Sequence, residues 1–548
     1  MVSYVLCLVP INIENAGENI CPFTGRIQVI EAHAKGMQNT HKSTTIALGL
    51  VLLMIFSTTL ANLVTQDSLD EQEKIFEVSA RAQTTWSGTV SLSSSYTISI
   101  QDEVIVQPCT NITLPSGERI YVDGRLTIQG SETCPVILTS SGLSDHEGIQ
   151  FNQSSNQRGS IIRNLTIGES IYGVTIYSSN PQLDNVTVIN PDRVGLDLYS
   201  ANPTISNLFV NSAGKNLPWQ GDWRYGIGLS VGAGSTPIVN GARFTNHLTS
   251  ALNIWGSSGG VFRDIEIDNI TGSSWAFVSG VWVEDSVPLL QNITIDRADS
   301  GIVVRHIDDS VRTRAVIKDM DISNSMYRGV YVDKLNHTNY TNYESADFTN
   351  LTVTGTGLSG AKTPGIAYAA IEVNASGAWF ENTLVDGADA AGVRLYFVDS
   401  TTNFRNITIK DSGDTNGGLH SASIAVRSSY FAPSFHDLHI VNSYGPGVRA
   451  TSGGAIQGIN WHIENSGEQG INIDSASVVV ENVTLENNSL SGAKVFDSRY
   501  VEFHNLTSLR NGQTGVLPQD LAGLTYIESN DVESNSGDVR CKNCTVFE

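Results

Sequence analysis

The stretch Gly173-Val174-Thr175-Ile176, followed shortly by Leu183-Asp184-Asn185-Val186-Thr187-Val188, decides how this chain is read. Apolar and polar residues alternate through the first phrase and again on either side of Asp184-Asn185. A period of two puts one face of a short strand into a core and the other toward solvent. Asn185 interrupts the alternation, and Asn, Asp and Gly are the residues that best tolerate a left-handed backbone. The segment therefore reads as a short strand, a turn, and two further short strands joined by a one-residue left-handed bend.

Both phrases recur. The first returns at Gly195-Leu196-Asp197-Leu198, Gly280-Val281-Trp282-Val283, Gly301-Ile302-Val303-Val304, Gly329-Val330-Tyr331-Val332 and Gly470-Ile471-Asn472-Ile473. The bend phrase returns with Gly124, Asn164, Asn185, Asn207, Gly241, Asp264, Asn292, Asp319, Asn350, Asn382, Asn406, Asp437, Gly458, Asn482, Asn505 and Asn543 at its centre. Thirteen steps cover the 341 residues from Asn164 to Asn505, about 26 per step. A unit of that size made of three short strands cannot bury its own apolar face, whereas stacked copies bury one continuous core. The expected fold is all-β, a parallel β-helix solenoid of about 15–16 coils with three short strands per coil. Adjacent coils spaced at ~4.8 Å would give a rod of about 75 Å. Stacked bend amides are expected to bond along the rod, giving buried amides partners.

Composition agrees with many tight turns and few charges. The 548 residues include 50 Gly, and only 16% are charged. With 32 Lys+Arg against 55 Asp+Glu the net charge is −23, which argues against nucleic acid as a partner because phosphate needs a basic face. A hydrophobic content of 40% excludes a disordered acidic tail.

Residues 37–62 carry the apolar run Ile46 to Phe56 behind His41 and Lys42, with Thr59-Leu60-Ala61 small enough for a cleavage site. The run has signal-peptide length and is short for a membrane span. It reads as an export signal, or else as an uncleaved anchor that would be the one contact with a membrane. Residues 1–36 show no period; Met37 fits a start, and residues 63–118 read as a linker and the N-terminal cap of the solenoid, which then fills 119–548. Ending at Glu548 leaves the last coil open, the pattern of a fragment or of an end covered by a partner.

The segment Ile120-Tyr121-Val122-Asp123-Gly124-Arg125-Leu126-Thr127-Ile128-Gln129-Gly130, followed by Pro135-Val136-Ile137-Leu138-Thr139-Ser140, resembles the first coils of exported microbial β-helix proteins. Over residues 85–548 the chain is similar to the right-handed parallel β-helix proteins of the pectin-lyase-like class. That resemblance implies a right-handed solenoid on an exported chain. It leaves activity open, because the fold hosts lyases, hydrolases, adhesins and passive rods. Cys109 and Cys134 are about one coil apart, within disulfide reach on adjacent coils in the solenoid arrangement. Cys541 and Cys544 read either as two small buried hydrophobes, the reading preferred here, or as a bridge.

Candidate chemistry gathers in the middle of the chain. Trp219, Trp223, Trp255, Trp275 and Trp282 are five of the eight tryptophans, and exposed aromatics along a sheet suit stacking on sugar rings. The second outward position of the Gly-led strand runs Tyr199, Trp255, Glu284, Arg305, Asp333, Asn374, Tyr396, Arg427. Glu284 and Asp333 would flank Arg305, either as ordinary ion pairs between coils or as a carboxylate pair for a glycosidic bond. The resemblance adds Arg305 as a base beside an acidic sugar. Asp308 and Asp309 resemble the paired aspartates of the family's galacturonan hydrolases, although the accompanying Asn-Thr-Asp, Gly-His-Gly and Arg-Ile-Lys signatures are absent.

Calcium suits such an acidic rod. Asp411, Asp414 and Asn416 form an oxygen-rich loop, without the full spacing of a defined calcium loop. Of 15 Asn-x-Ser/Thr sites, Asn336 and Asn339 lie in a polar insertion and are the expected glycosylated pair. Three functions remain open at this level: a non-catalytic exported rod that binds polysaccharide or a cell-envelope surface, a polysaccharide lyase or glycoside hydrolase, and a structural or adhesive segment of a larger envelope protein. Oligomeric state is not set by these features.

Overall fold

The computed structural model describes residues 82–214, 225–272, 278–308, 314–334, 344–357, 369–398, 400–414, 421–429, 431–498, 500–519, 524–534 and 545–547. The upstream segment 1–36, the signal or anchor 37–62, Trp219, Trp223, Trp275, Asp309, Asn336, Asn339, Asn416, Cys541, Asn543 and Cys544 lie outside the described residues. Among the described residues no helix is long and apolar enough to cross a membrane.

Each repeat contributes one short strand and one long one. Short strands such as Tyr172–Tyr177, Val194–Tyr199 and Ile227–Gly232 pair in parallel into a narrow ribbon. Among the described residues that ribbon has seventeen strands, from Tyr96–Ile98 to Val516–Gln519. Long strands such as Ile161–Gly168, Gln182–Ile189 and Thr204–Asn211 form a broad sheet, again parallel, with 22 strands among the described residues. This is the expected parallel β-helix. The second and third strands of each coil run as one long strand across the bend: Arg163 pairs with Asp184 and Leu165 with Val186, while Asn164 and Asn185 stand between the bonded positions. The pairing already joins Ala82–Trp86 to Asp102–Val106, so the stack begins within the segment read as linker and cap.

Left-handed backbone occurs in three columns, two more than the sequence pattern shows. The expected column runs from Asn164 (φ 48°) to Asn505 (φ 53°). Gly458 is not part of it; Asn460 (φ 61°) makes that bend, and Gly124 is not left-handed either. A second column closes the long strands at Asn190, Asn246, Asn324, Asn442 and Asn465, and a third closes the short strands at Ser178, Ser200, Asp285, Ser452 and Ser475. Bend amides do bond along the stack. Asn185 Nδ2 donates to Asn164 Oδ1 at 2.6 Å, Asn406 to Asn382 at 2.8 Å and Asn505 to Asn482 at 2.7 Å. They face solvent rather than the core, contrary to expectation, so each bond contributes only about 0.5–1.5 kcal/mol.

Inward residues form one apolar core from Trp86 to Val516. Within it Phe348, Phe380, Phe404 and Phe435 stack face to face on successive coils at 4.8, 4.5 and 4.5 Å, and Trp461 caps the column edge-on. The recurrent Gly before each short strand has a steric cause. A Cβ on Gly301 would press on the Gly329 carbonyl of the next coil and on Ile322 across the core. Cys109 and Cys134 form a disulfide between adjacent coils, Cα to Cα 4.9 Å.

Candidate functional site

The outward rows of the narrow ribbon carry the candidate chemistry. Glu284 pairs with Arg305, Arg305 with Asp333, Asp333 with Asn374, Asn374 with Tyr396 and Tyr396 with Arg427, so the expected row forms coil by coil. Upstream it needs one correction: Gly232 intervenes between Tyr199 and Trp255. The Trp255 indole occupies the space a Cβ on Gly232 would need, and it meets Tyr199 edge-on at 6.3 Å. Only a glycine lets that ring lie back across the ribbon.

The charged strip is largely occupied with itself. Arg305 Nη2 lies 3.5 Å from Asp333 Oδ2, and Asn374 Nδ2 donates to Asp333 Oδ1 at 2.9 Å. In the neighbouring row Arg328 donates to Glu372 at 2.6 Å, and Arg394 lies 3.6 Å from the other Glu372 oxygen. Burial, then Asp333 and Glu372, push the Tyr331 hydroxyl up to about 12. Glu284 is raised above the usual carboxylate range, chiefly by burial, although a hydrogen bond to Trp282 works the other way. Trp282 itself is 6% exposed and lies under the Arg305 guanidinium at 5.1 Å, so it offers no exposed ring to a sugar. Asp308 is exposed, and its backbone N–H donates to Asp285, which also lies 3.3 Å from buried His306.

A cleft that the sequence pattern does not single out opens a few coils upstream. It encloses about 410 Å³ and is lined by Arg119, Glu147, Tyr172, Thr175, Tyr177, Asp192, Arg193, Asp197, Tyr199 and Tyr225. Arg193 is its pivot. Its two terminal nitrogens donate to Tyr172 Oη at 3.0 Å and Tyr225 Oη at 2.7 Å, with the guanidinium 4.5 Å from the Tyr225 ring centre. Arg119 is held by Glu147 and Gln150 and lies over Tyr121 and Tyr172. Tyr177 and Tyr199 stack at 4.9 Å, and Tyr199 donates to Asp197 at 2.8 Å. Burial pushes Asp192 up to about 7, aided by a shared hydrogen bond with Asp145 and by its charge. Tyr177 and Tyr199 occupy equivalent outward positions on adjacent coils, a signal present in the repeat. Arg119 and Tyr225 come from turns, which strand periodicity does not align.

A second groove of about 530 Å³ follows the bend column past Asn292, Asp319, Asn350, Asn382 and Asn406. It has no aromatic lining, and several of its amides bond to one another. The aromatic cleft is therefore the better candidate site. Asp411 stands at a left-handed corner and accepts from Asn442 Nδ2 at 3.1 Å, so one oxygen of that oxygen-rich loop serves the stack.

The family model described as right handed beta helix region matches residues 147–309 and 391–545, more than half of the chain. The chain belongs to that family. No curated protein matches it. Among solved structures, the catalytic domain of a GH87 α-1,3-glucanase is similar at 16% identity over 84% of this chain and 68% of its own, with a TM-score of 0.34. A periplasmic alginate epimerase is similar at 10% identity over 74% and 77%, with a TM-score of 0.33. An alginate lyase from Paenibacillus sp. str. FPU-7 is similar at 12% identity over 48% and 94%, also with a TM-score of 0.33.

Proposed function

We propose that this chain is an exported β-helix protein that binds polysaccharide along its narrow ribbon without turning it over. The cleft around Arg193 carries the reading. A sugar ring presents apolar faces and a rim of hydroxyls, and the cleft offers four tyrosines beside two guanidiniums and three carboxylates. Tyr177 is 39% exposed at its wall. From there Tyr199 and Trp255 continue the aromatic row, so a polymer laid along the ribbon meets a new coil every ~4.8 Å. Export rests on the apolar run in residues 37–62 and on the Cys109–Cys134 disulfide, which suits an oxidising compartment. The absence of catalysis rests on the strip from Glu284 to Asp333, whose central charges are spent on one another.

A glycoside hydrolase is the second reading, favoured by one observation. Asp192, raised to about 7, shares the cleft with Asp197, and a carboxyl still protonated near neutrality is what a general acid needs.

Electrophoresis of the full chain through gels containing acidic or neutral polysaccharides separates the readings, followed by measurement of reducing ends and of the ultraviolet absorbance of unsaturated uronates. Retardation by at least one polymer with no product is expected. Product would install the enzymatic reading. A folded chain retarded by none of them would leave the structural rod and overturn binding.

A further inference from the structure

Far from the cleft, the outer face of the broad sheet brings two histidines together. His439 on Ser434–Val441 and His462 on Ala455–Glu464 are directly paired in adjacent parallel strands, and Val441 is paired with Glu464. Their neighbours hold them rigidly. Leu438, Ile440, Trp461 and Ile463 point into the core at 1% exposure or less, and Trp461 Nε1 donates to the Phe435 carbonyl at 2.9 Å. Period-two alternation therefore fixes both imidazoles on the outside.

The rings stack at 5.0 Å. His439 Nε2 lies 3.2 Å from Glu464 Oε1. Among the described residues His462 Nε2 is shielded from solvent and has no hydrogen-bond partner, with Glu486 Oε2 4.0 Å away. One donor atom from each of His439, His462 and Glu464 falls within 4.8 Å of the others. Glu486 is drawn off by an ion pair with Arg510, which leaves three ligands.

We infer that His439, His462 and Glu464 bind a divalent transition-metal ion of the zinc class on the outer face of the broad sheet. Two imidazoles and one carboxylate match the preference of zinc and its neighbours, and three protein ligands leave a coordination position for water. Calcium, which takes six to eight oxygens, is not served by this set. The shielded His462 nitrogen, which lacks a hydrogen bond among the described residues, would donate its lone pair to the ion. A bound ion ties two coils together, so it stabilises the folded chain by mass action.

The test is titration of the chelator-treated full chain with zinc, in competition with a chromophoric chelator, and with cobalt followed by visible absorbance. One saturable equivalent is expected, together with the intense visible bands of low-coordinate cobalt. His439→Ala and His462→Gln should each weaken zinc binding at least tenfold, and His504→Ala, at a separate His–Glu pair, should leave it unchanged. Glu464→Gln gives a further variant should either histidine change prevent folding. No saturable equivalent would overturn the site. So would equal uptake by the folded His439 and His462 variants, as binding at the cysteines would produce.

Discussion

Asp192 retains a proton that an open surface carboxyl gives up near pH 4. It is raised to about 7, and Asp299, buried in the turn that leads into Ser300–His306, to about 6, in both cases chiefly by burial. The folded chain therefore binds protons that the unfolded chain has released, and stability falls as pH rises between the two states' values. The contribution is fully present below about pH 4 and is lost as pH passes through about 6 and 7. Asp192→Asn removes the Asp192 part: its thermal midpoint should exceed that of the parent chain at pH 8 and match it at pH 4. A midpoint difference independent of pH would contradict the assignment. At this scale the sequence is informative about direction and poor about burial. Alternation correctly turns Trp282 outward, but the guanidinium lying over it comes from the next coil.

At the scale of the strand, pairing registers were readable because each coil repeats the same punctuation. Glu284, Arg305 and Asp333 align as their Gly-led strands predict. Gly232 was passed over because a long insertion precedes its strand and a glycine carries no outward side chain to mark the row. The two extra left-handed columns escaped notice because Ser, Ala and Arg stand in them as well as Asn, residues that pattern reading does not associate with that backbone. The phenylalanine stack is the element whose energetics follow most directly from geometry. Phe404 is sandwiched between Phe380 and Phe435 with nearly parallel rings and is fully buried. Phe404→Ala should cost about 3–5 kcal/mol, read from the denaturant midpoint at constant slope. A loss below about 1 kcal/mol would show that the coils close over the gap.

Across the whole molecule, each coil touches only its neighbours, so damage should stay local. The Cys109–Cys134 disulfide staples the beginning of the stack. Replacing both cysteines with serine removes a constraint worth about 3.5 kcal/mol for a loop of this length. Hydrogen exchange should accelerate in the first coils, around Val104 and Leu126, and stay unchanged around Phe404 and Phe435. Uniform acceleration would mean that the solenoid unfolds as one cooperative unit. The coil stack was legible from Asn164 to Asn505 because its period survives insertions. The cleft was not, because its walls come from turns and strands of several coils and only the folded chain brings them to Arg193.

Polysaccharide is proposed to bind on the narrow ribbon at the Arg193 cleft. The most direct measurement is the affinity of the full chain carrying both Tyr177→Ala and Tyr199→Ala for the polymer that retards the parent chain, with Tyr500→Ala, an exposed aromatic on the broad sheet, as control. Aromatic contacts worth about 0.5–1.5 kcal/mol each predict a loss of about fivefold to 140-fold in the double variant. Tyr500→Ala should bind as the parent does. Undiminished retardation of the folded double variant would contradict the account.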